Sequence, residues 1–223
     1  MGVINFFTIE GYTMLETCCE LMVESYEKGL MTSRDGNVSL RYKGQDFFYL
    51  SPTDMRKQTL RPDQFKKLAT SLKEDRSPIV LPYTPISYGL KPSGEFPLHY
   101  MLQKNIPVDW DTRVVMHVHS TYTVAAMHAG LKLHKLKDHF PEIARYTRVA
   151  KSTDDVPPIS WDLAHACMEN LKLNEKTGET EFDIIGIKGH GVVAVDKTPW
   201  RAYEQIERLE HICKIVLISG KGI

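Results

Sequence analysis

The 223-residue chain carries 28 basic and 28 acidic side chains, so its formal net charge at pH 7 is zero. This balance gives no net basic field to attract nucleic acid or an anionic membrane surface, and we predict neither as a partner. A hydrophobic content of 42% and a charged content of 25% are typical of a globular protein, and the length suits one domain spanning residues 1–223.

Neither a membrane span nor an export signal is expected from the sequence. No apolar run approaches the about 20 residues that a membrane-spanning helix needs. Residues 1–12 do not combine a basic region with a long apolar run, as a signal peptide does. We therefore predict a cytoplasmic protein.

The first predicted element is an amphipathic helix over residues 14–30, with Gly29 as a typical C-terminal stop. Its apolar face includes two of the four cysteines. The cysteines are Cys18, Cys19, Cys167 and Cys213. Because none of them belongs to a C-x-x-C pair, we predict four reduced, buried thiols with a structural role.

The next segment predicts a hairpin followed by a helix and a long loop. Residues 35–37 form a turn signal, and strands are predicted over 38–42 and 46–51. A proline opens a predicted helix over 62–75. Residues 77–94 are rich in proline and glycine, and the length of this structured loop suggests a binding role.

The second half of the chain alternates helices and strands irregularly. Predicted helices cover 95–105, 121–130, 161–173 and 198–219, and predicted strands cover 113–120 and both arms of 181–196. The last helix has Thr198 as N-cap and Pro199 at its first position, whereas residues 131–161 give no clear pattern. The hairpins favour an α/β fold with a central mixed, mainly antiparallel sheet flanked by helices.

Two histidines stand one residue apart in the apolar strand "RVVMHVHS". Because side chains alternate along a strand, His117 and His119 project to the same side and can both reach one metal ion. The alternative is a pair of hydrogen-bonded histidines at a strand end. The polar "STY" turn that follows favours the metal site.

A metal site needs further groups, and the sequence offers two. His190 lies between two glycines at the turn of "GIKGHGVV", where the backbone can approach closely. The alternative is an ordinary turn histidine in a glycine-rich hairpin. Glu95 opens a helix after the long loop and is the acid/base candidate, although carboxylates are also common at helix N-termini. His99, one turn further, is read mainly as a satisfied polar residue that could also support Glu95 or the metal ligands.

Three turns carry the short polar side chains and backbone N–H groups that bind anions. They are "DGNVS", "SPTD" and "KPSG". Each of these turns is a weak signal by itself, because such residues also populate ordinary turns. The candidate anion-binding residues in these turns are Gly36, Asn37, Ser39, Ser51, Thr53, Lys91, Ser93 and Gly94.

Five segments, in order along nearly the whole chain, resemble the class II aldolase/adducin-type family. They are "GLMTSRDGNVSLR", "YLSPTD", "KPSGEFPLH", "VVMHVHST" and "GIKGHGVVAVDKTPWRAYEQIERLE". The resemblance implies a zinc or similar divalent ion on His117, His119 and His190, with Glu95 transferring a proton and serving as a fourth ligand of the empty site. It also implies a phosphate pocket on Asn37, Thr53, Ser93 and nearby backbone. The implied homotetramer has active sites at subunit interfaces, where Tyr146 of a neighbouring subunit is the candidate proton donor.

Two positions depart from the family pattern. Asp54 replaces a glycine and Gly94 replaces a serine of the family's phosphate pocket. An aspartate there would repel a phosphate dianion unless its side chain points away. Glu95 stands where the epimerase branch has aspartate, which favours the lyase branches, and the "KPSGE" and "HVHST" motifs are most similar to the 3-oxo-tetronate 4-phosphate decarboxylase branch.

The sequence therefore predicts a divalent-metal-dependent carbon–carbon lyase, either an aldolase or a decarboxylase. Its expected substrate is a small phosphorylated keto-sugar or keto-sugar acid. A metal chelated by a ketone oxygen and its neighbouring hydroxyl would stabilise the enediolate left when the bond breaks. The alternatives are a sugar-phosphate 4-epimerase and a non-catalytic adducin-like scaffold.

Overall fold

A computed structural model describes residues 7–220, and a seven-stranded sheet lies at its centre. The strands are β1 Asn37–Tyr42, β2 Phe47–Leu50, β3 Lys66–Leu72, β4 Pro78–Leu81, β5 Thr112–Val118, β6 Ile184–Ile187 and β7 Gly191–Asp196. Their order across the sheet is β4-β3-β2-β1-β5-β7-β6, and each neighbouring pair is antiparallel. The predicted α/β fold with a mainly antiparallel sheet is confirmed.

Helices cover both faces of this sheet. They are α1 Phe7–Glu27, α2 Pro85–Tyr88, α3 Phe96–Gln103, α4 Thr121–His128, α5 Pro141–Tyr146, α6 Trp161–Leu171 and α7 Pro199–Ser219. One apolar cluster joins α1, α4 and α7 to one face, and a second joins α3 and α6 to the other. Strand β5 lies in the middle and is buried along its whole length.

The faces of β5 decide where its histidines point. Val114, Met116 and Val118 pack into the cluster with α1 and α7, whereas Val115 packs into the cluster with α3 and α6. Period-2 alternation therefore places His117 on the α3 and α6 side, at the end of the strand.

The ends of the two longest helices follow the predicted signals. At the end of α1, Gly29 has a φ of 73°, and the amides of Gly29 and Leu30 donate to the carbonyls of Tyr26 and Ser25. This is the paired hydrogen-bond pattern of a left-handed helix cap. At the start of α7, the Thr198 side chain accepts a hydrogen bond from the amide of Arg201.

The helix predicted over residues 62–75 is wrong. A short 3-10 turn at Pro62–Gln64 leads into strand β3, which pairs with β2 and β4. Phe65, Leu68 and Leu72 also fit helical spacing, so the local pattern was ambiguous. Pairing with β2, which places Leu68 opposite the buried Phe48, decided in favour of the strand.

The two long segments without a clear predicted element contain short helices and a short strand. The loop at 77–94 contains the short elements β4 and α2, and residues 131–161 contain a 3-10 turn at Leu133–Asp138 and the helix α5. All four cysteines are free and buried, as predicted. Among the helices of residues 7–220, none has both the length and the apolar character that a membrane span requires.

Candidate metal centre and substrate pocket

Three histidine rings converge at one end of the sheet. His117 and His119 come from the end of β5, and His190 comes from the turn between β6 and β7. The Nε2 atom of His117 lies 3.1 Å from that of His119 and 3.2 Å from that of His190. The two sequence-distant parts of the predicted ligand set therefore meet.

The hydrogen bond at the far side of His117 fixes which nitrogen faces the cluster. Its Nδ1 lies 2.9 Å from the carbonyl oxygen of Val192, which can only accept, so Nδ1 carries the proton. The Nε2 lone pair of His117 then points at the other two rings. Burial holds the pKa of His117 well below its usual value, which keeps the ring neutral and ready to bind a cation.

The spacing of the nitrogens fits a tetrahedral metal ion. Zinc–nitrogen bonds of about 2.0–2.1 Å place two ligand atoms about 3.3–3.4 Å apart, close to the separations observed. Three converging imidazoles suit zinc and other divalent transition metals. Gly191 makes this approach feasible, because a Cβ there would lie 2.3 Å from the Val118 carbonyl oxygen and 3.2 Å from Cε1 of His117.

Glu95 lies against the same cluster, at the start of α3. Its Oε1 atom is 3.6 Å from Nε2 of His190, and its side chain is 8% exposed. Burial raises the pKa of Glu95 to about 7, although a hydrogen bond from the Ile159 backbone opposes the shift. A carboxyl group with this pKa can both accept and deliver a proton near neutrality.

Two charged residues that sequence reasoning did not select also contribute to the site. Oδ2 of Asp35 lies 3.7 Å from Nδ1 of His119, where its charge opposes the lowering of the His119 pKa by burial. The ammonium group of Lys57 is buried and donates to the carbonyl oxygens of Met55 and Arg34. Asp35 belongs to the turn motif at residues 35–37, whereas no sequence motif marks Lys57 as a functional residue.

The candidate phosphate-binding residues line one pocket together with two of the three clustered histidines. This cavity of about 270 Å³ is bordered by Asn37, Thr53, Ser93, Gly94, Lys57, Glu95, His119 and His190 among other residues. The two loops that carry Thr53 and Ser93 are joined by hydrogen bonds from Thr53 to Lys91 and from Ser93 to Ser51. The pocket wall is therefore braced before any ligand binds.

The two departures from the family pattern have different structural settings. Asp54 is exposed and holds a φ of 58°, a left-handed conformation that glycine adopts without strain. At Gly94, a Cβ would lie 3.1–3.2 Å from the side chain of Ile159. Ile159 thus occupies the space beside Gly94 that a larger residue would need.

Ile159 itself is strained, which gives a testable expectation. It is β-branched, has a φ of 57° and is 62% exposed, so little burial offsets the strain. We expect Ile159→Gly to raise the free energy of unfolding by about 1 kcal/mol, after the entropy cost of glycine. Urea unfolding measures this, and Ile159→Ala, which keeps the strain, should be near neutral. Equal losses in both variants would contradict the expectation.

His99 is fully buried beneath the pocket. Its ring bonds the Ser39 hydroxyl at 2.7 Å and the side-chain oxygen of Asn37. The prediction of a satisfied polar residue on a helix is therefore correct, and its partners lie on β1 rather than at Glu95. Burial lowers the pKa of His99 to about 3.

This buried histidine should make the protein sensitive to acid. Because the folded pKa lies below that of the unfolded chain, the unfolded state binds more protons below about pH 6.5, and stability falls as pH drops toward 3. Between pH 7 and 4 we expect the protein to lose about 3 kcal/mol more than His99→Gln. Urea unfolding at both pH values tests this, and other buried histidines cancel in the comparison. An equal loss in both proteins would refute it.

Tyr146 does not line this pocket within the single chain. It lies at the end of α5, is 54% exposed, and has the guanidinium groups of Arg145 and Arg208 5.4 Å from its ring. Its predicted role across a subunit interface stays a prediction.

The chain is similar to known proteins in sequence and in fold over nearly its whole length. L-fuculose phosphate aldolase of Methanococcus vannielii is 26% identical over 197 residues, which are 88% of this chain and 90% of the relative. The structure of YgbL of Escherichia coli superposes with a TM-score of 0.72 at 20% identity, and the match covers 93% of this chain and 89% of the YgbL chain. L-fuculose-1-phosphate aldolase of Thermus thermophilus has a TM-score of 0.64 at 18% identity, with coverages of 94% and 97%.

The match to a protein family is equally extensive. The family described as Class II Aldolase and Adducin N-terminal domain matches residues 16–217. All five motifs quoted from the sequence fall inside this range. The chain therefore belongs to the class II aldolase and adducin N-terminal domain family.

Proposed function

We propose that this chain is a divalent-metal-dependent carbon–carbon lyase, an aldolase or a decarboxylase, acting on a small phosphorylated keto-sugar or keto-sugar acid. The observation that carries this proposal is the convergence of three imidazole Nε2 atoms with Glu95 at 3.6 Å from one of them. A non-catalytic scaffold protein would not need a proton-transferring carboxyl group beside three candidate metal ligands. The 26% identity to L-fuculose phosphate aldolases supports the same reading.

His117, His119 and His190 would hold the metal, with zinc as the first candidate. A divalent ion in that position supplies Lewis-acid polarisation of a ketone oxygen and stabilises the negative charge that develops when the neighbouring bond breaks. Glu95, whose Oε1 lies 3.6 Å from Nε2 of His190, would remove or deliver the proton at the reacting carbon.

The anionic end of the substrate would lie at the other side of the pocket. Asn37, Thr53 and Ser93 border it, and the buried ammonium of Lys57 places a positive charge there. Lys57 offsets the negative charge of Asp54, which otherwise argues against a phosphate dianion. Gly94 borders the same proposed subsite.

The same proposal includes a homotetramer in the cytoplasm, with active sites at subunit interfaces. Tyr146 would then reach the site of a neighbouring subunit as proton donor. Its exposed position on α5 supports this role, because an interface residue must be accessible on the single chain. Sedimentation of the purified protein, and turnover of Tyr146→Phe, would test the assembly and the tyrosine separately.

The decisive experiment is a substrate screen of the zinc-loaded protein. A panel of keto-sugar phosphates and 3-oxo sugar acids is assayed, with aldehyde and CO₂ release scored separately. Aldehyde release identifies the aldolase, CO₂ release identifies the decarboxylase, and inversion at one carbon without cleavage identifies the epimerase alternative. A protein that binds no metal and converts nothing would favour the adducin-like scaffold.

A further inference from the structure

A chain of buried hydrogen bonds runs from the pocket to the far end of α3. Asn37 bonds the His99 ring through Oδ1, and the other ring nitrogen of His99 bonds the Ser39 hydroxyl at 2.7 Å. Nε2 of Gln103 lies 2.9 Å from that hydroxyl and 3.1 Å from the carbonyl oxygen of Arg113. The four residues whose side chains form this chain of hydrogen bonds are 0–6% exposed; they are Asn37, Ser39, His99 and Gln103.

The direction of every bond in this chain follows from its last member. The Arg113 carbonyl can only accept, so the amide nitrogen of Gln103 must face it, and the second proton of that nitrogen goes to Ser39. The buried Ser39 hydroxyl contacts Gln103 and His99, and since Gln103 donates to it, its own proton is donated to Nδ1 of His99.

The same reasoning continues to the pocket. A neutral imidazole has one donor and one acceptor, so the proton of His99 must sit on Nε2, which donates to Oδ1 of Asn37. The low pKa of His99 agrees with a neutral ring. Asn37 is thereby held with its NH₂ group away from His99.

We propose that Gln103, Ser39 and His99 form a positioning relay that presents the Asn37 amide to the pocket as a hydrogen-bond donor for the phosphate group of the substrate. This inference rests on the proposed function for the identity of the ligand. It assigns to His99 a positioning role for anion binding instead of a role at the metal or at Glu95.

The position of Asn37 decides why the orientation of its side-chain amide matters for anion binding. Asn37 stands directly opposite the metal-ligand candidate His117 in the β1–β5 pairing and borders the pocket with Thr53 and Ser93. With the relay reversed, Asn37 would present its carbonyl oxygen to the pocket and repel an anion. The choice between attraction and repulsion is therefore set at Gln103, which lies two turns along α3 from Glu95.

Gln103→Glu should reverse the relay from a distance. A buried glutamic acid at this position keeps its proton, donates it in a hydrogen bond to the Arg113 carbonyl, and accepts a hydrogen bond from the Ser39 hydroxyl. His99 must then carry its proton on Nδ1 and accept a hydrogen bond from the NH₂ group of Asn37, whose oxygen turns toward the pocket. Ser39→Ala cuts the relay, and Ser39→Thr restores a hydroxyl and serves as the rescue variant. None of these changes touches a group proposed to bind the metal or transfer the proton.

The binding test uses two probes that differ by one phosphate. They are glycolohydroxamate, which chelates a metal through two oxygens, and its phosphate ester. In calorimetry with zinc-loaded protein, we expect Gln103→Glu to weaken binding of the ester by about 10- to 100-fold, the value of one hydrogen bond to a charged group. Binding of the unesterified probe and the zinc content should not change, and Ser39→Thr should bind the ester better than Ser39→Ala. An equal loss for both probes, or no loss for the ester, would overturn the proposal.

A second measurement judges the relay without any ligand. Nitrogen-15 NMR of the His99 ring, assigned by its disappearance in His99→Gln, should show the proton on Nε2 in the native protein and on Nδ1 in Gln103→Glu. A native ring protonated on Nδ1 would refute the relay even if the protein proves to be a lyase. Conversely, the expected tautomers in a protein that binds neither probe would uphold the relay and refute the proposed function.

Discussion

His119→Ala is expected to abolish stoichiometric metal binding and to lower turnover by at least about 1,000-fold. A metal that acts as a Lewis acid supplies several kcal/mol of barrier reduction, and each 1.4 kcal/mol is a factor of ten in rate. His119 is the best of the three histidines to change, because its side chain is 31% exposed. His117 is fully buried and also bonds Val192, so its removal would disturb the sheet.

Metal content by mass spectrometry, together with turnover, measures this effect. His128→Ala is the matched control, since His128 is exposed at the end of α4 near the turn that carries His190 but lies outside the converging cluster. It should keep both the metal and the activity. Full metal content and turnover in His119→Ala would exclude the proposed ligand set.

The candidate metal ligands could be selected from the sequence because local geometry orients each of them. Strand periodicity alone puts His117 and His119 on one side, and the flanking glycines of His190 mark a tight turn. What the sequence could not show is that β5 and the β6–β7 turn lie close enough for the rings to meet. The family motifs supplied that information before the strand pairing between β5 and β7 demonstrated it.

Other parts of the molecule depend on contacts that no local pattern reveals. The segment at 62–75 fits a helix by its apolar spacing and becomes a strand only through its partners β2 and β4. His99 finds its partners about 60 residues away on β1. Ile159 adopts a left-handed conformation that its residue type disfavours, so no sequence signal could place it beside Gly94.

The two halves of the pocket share a structural origin. Strand pairing sets Asn37 opposite His117, so the proposed anion donor and a proposed metal ligand belong to one cross-strand pair. The N-terminal part of α3 then places Glu95 beside His190 and His99 beside Asn37, one turn apart. A shift in the β1–β5 register would therefore disrupt both proposed subsites together.

Glu95→Gln is expected to lower turnover by about 100- to 10,000-fold, the usual contribution of a positioned acid or base. The variant should keep its metal. The amide preserves the shape of the side chain and can still accept the hydrogen bond from Ile159, but it cannot exchange a proton near neutral pH. The three histidines should hold the metal without it. Binding and proton transfer are thus separated in one variant.

Deuterium exchange gives the sharpest measure of this role. In D₂O, the native protein should exchange the proton at the reacting carbon of substrate or product, and Glu95→Gln should not. Glu169→Gln serves as the control, because Glu169 is an exposed carboxylate on α6, outside the metal pocket. Native exchange rates in metal-loaded Glu95→Gln would assign the proton transfer to another group, and Tyr146 of a neighbouring subunit would be the next residue to test.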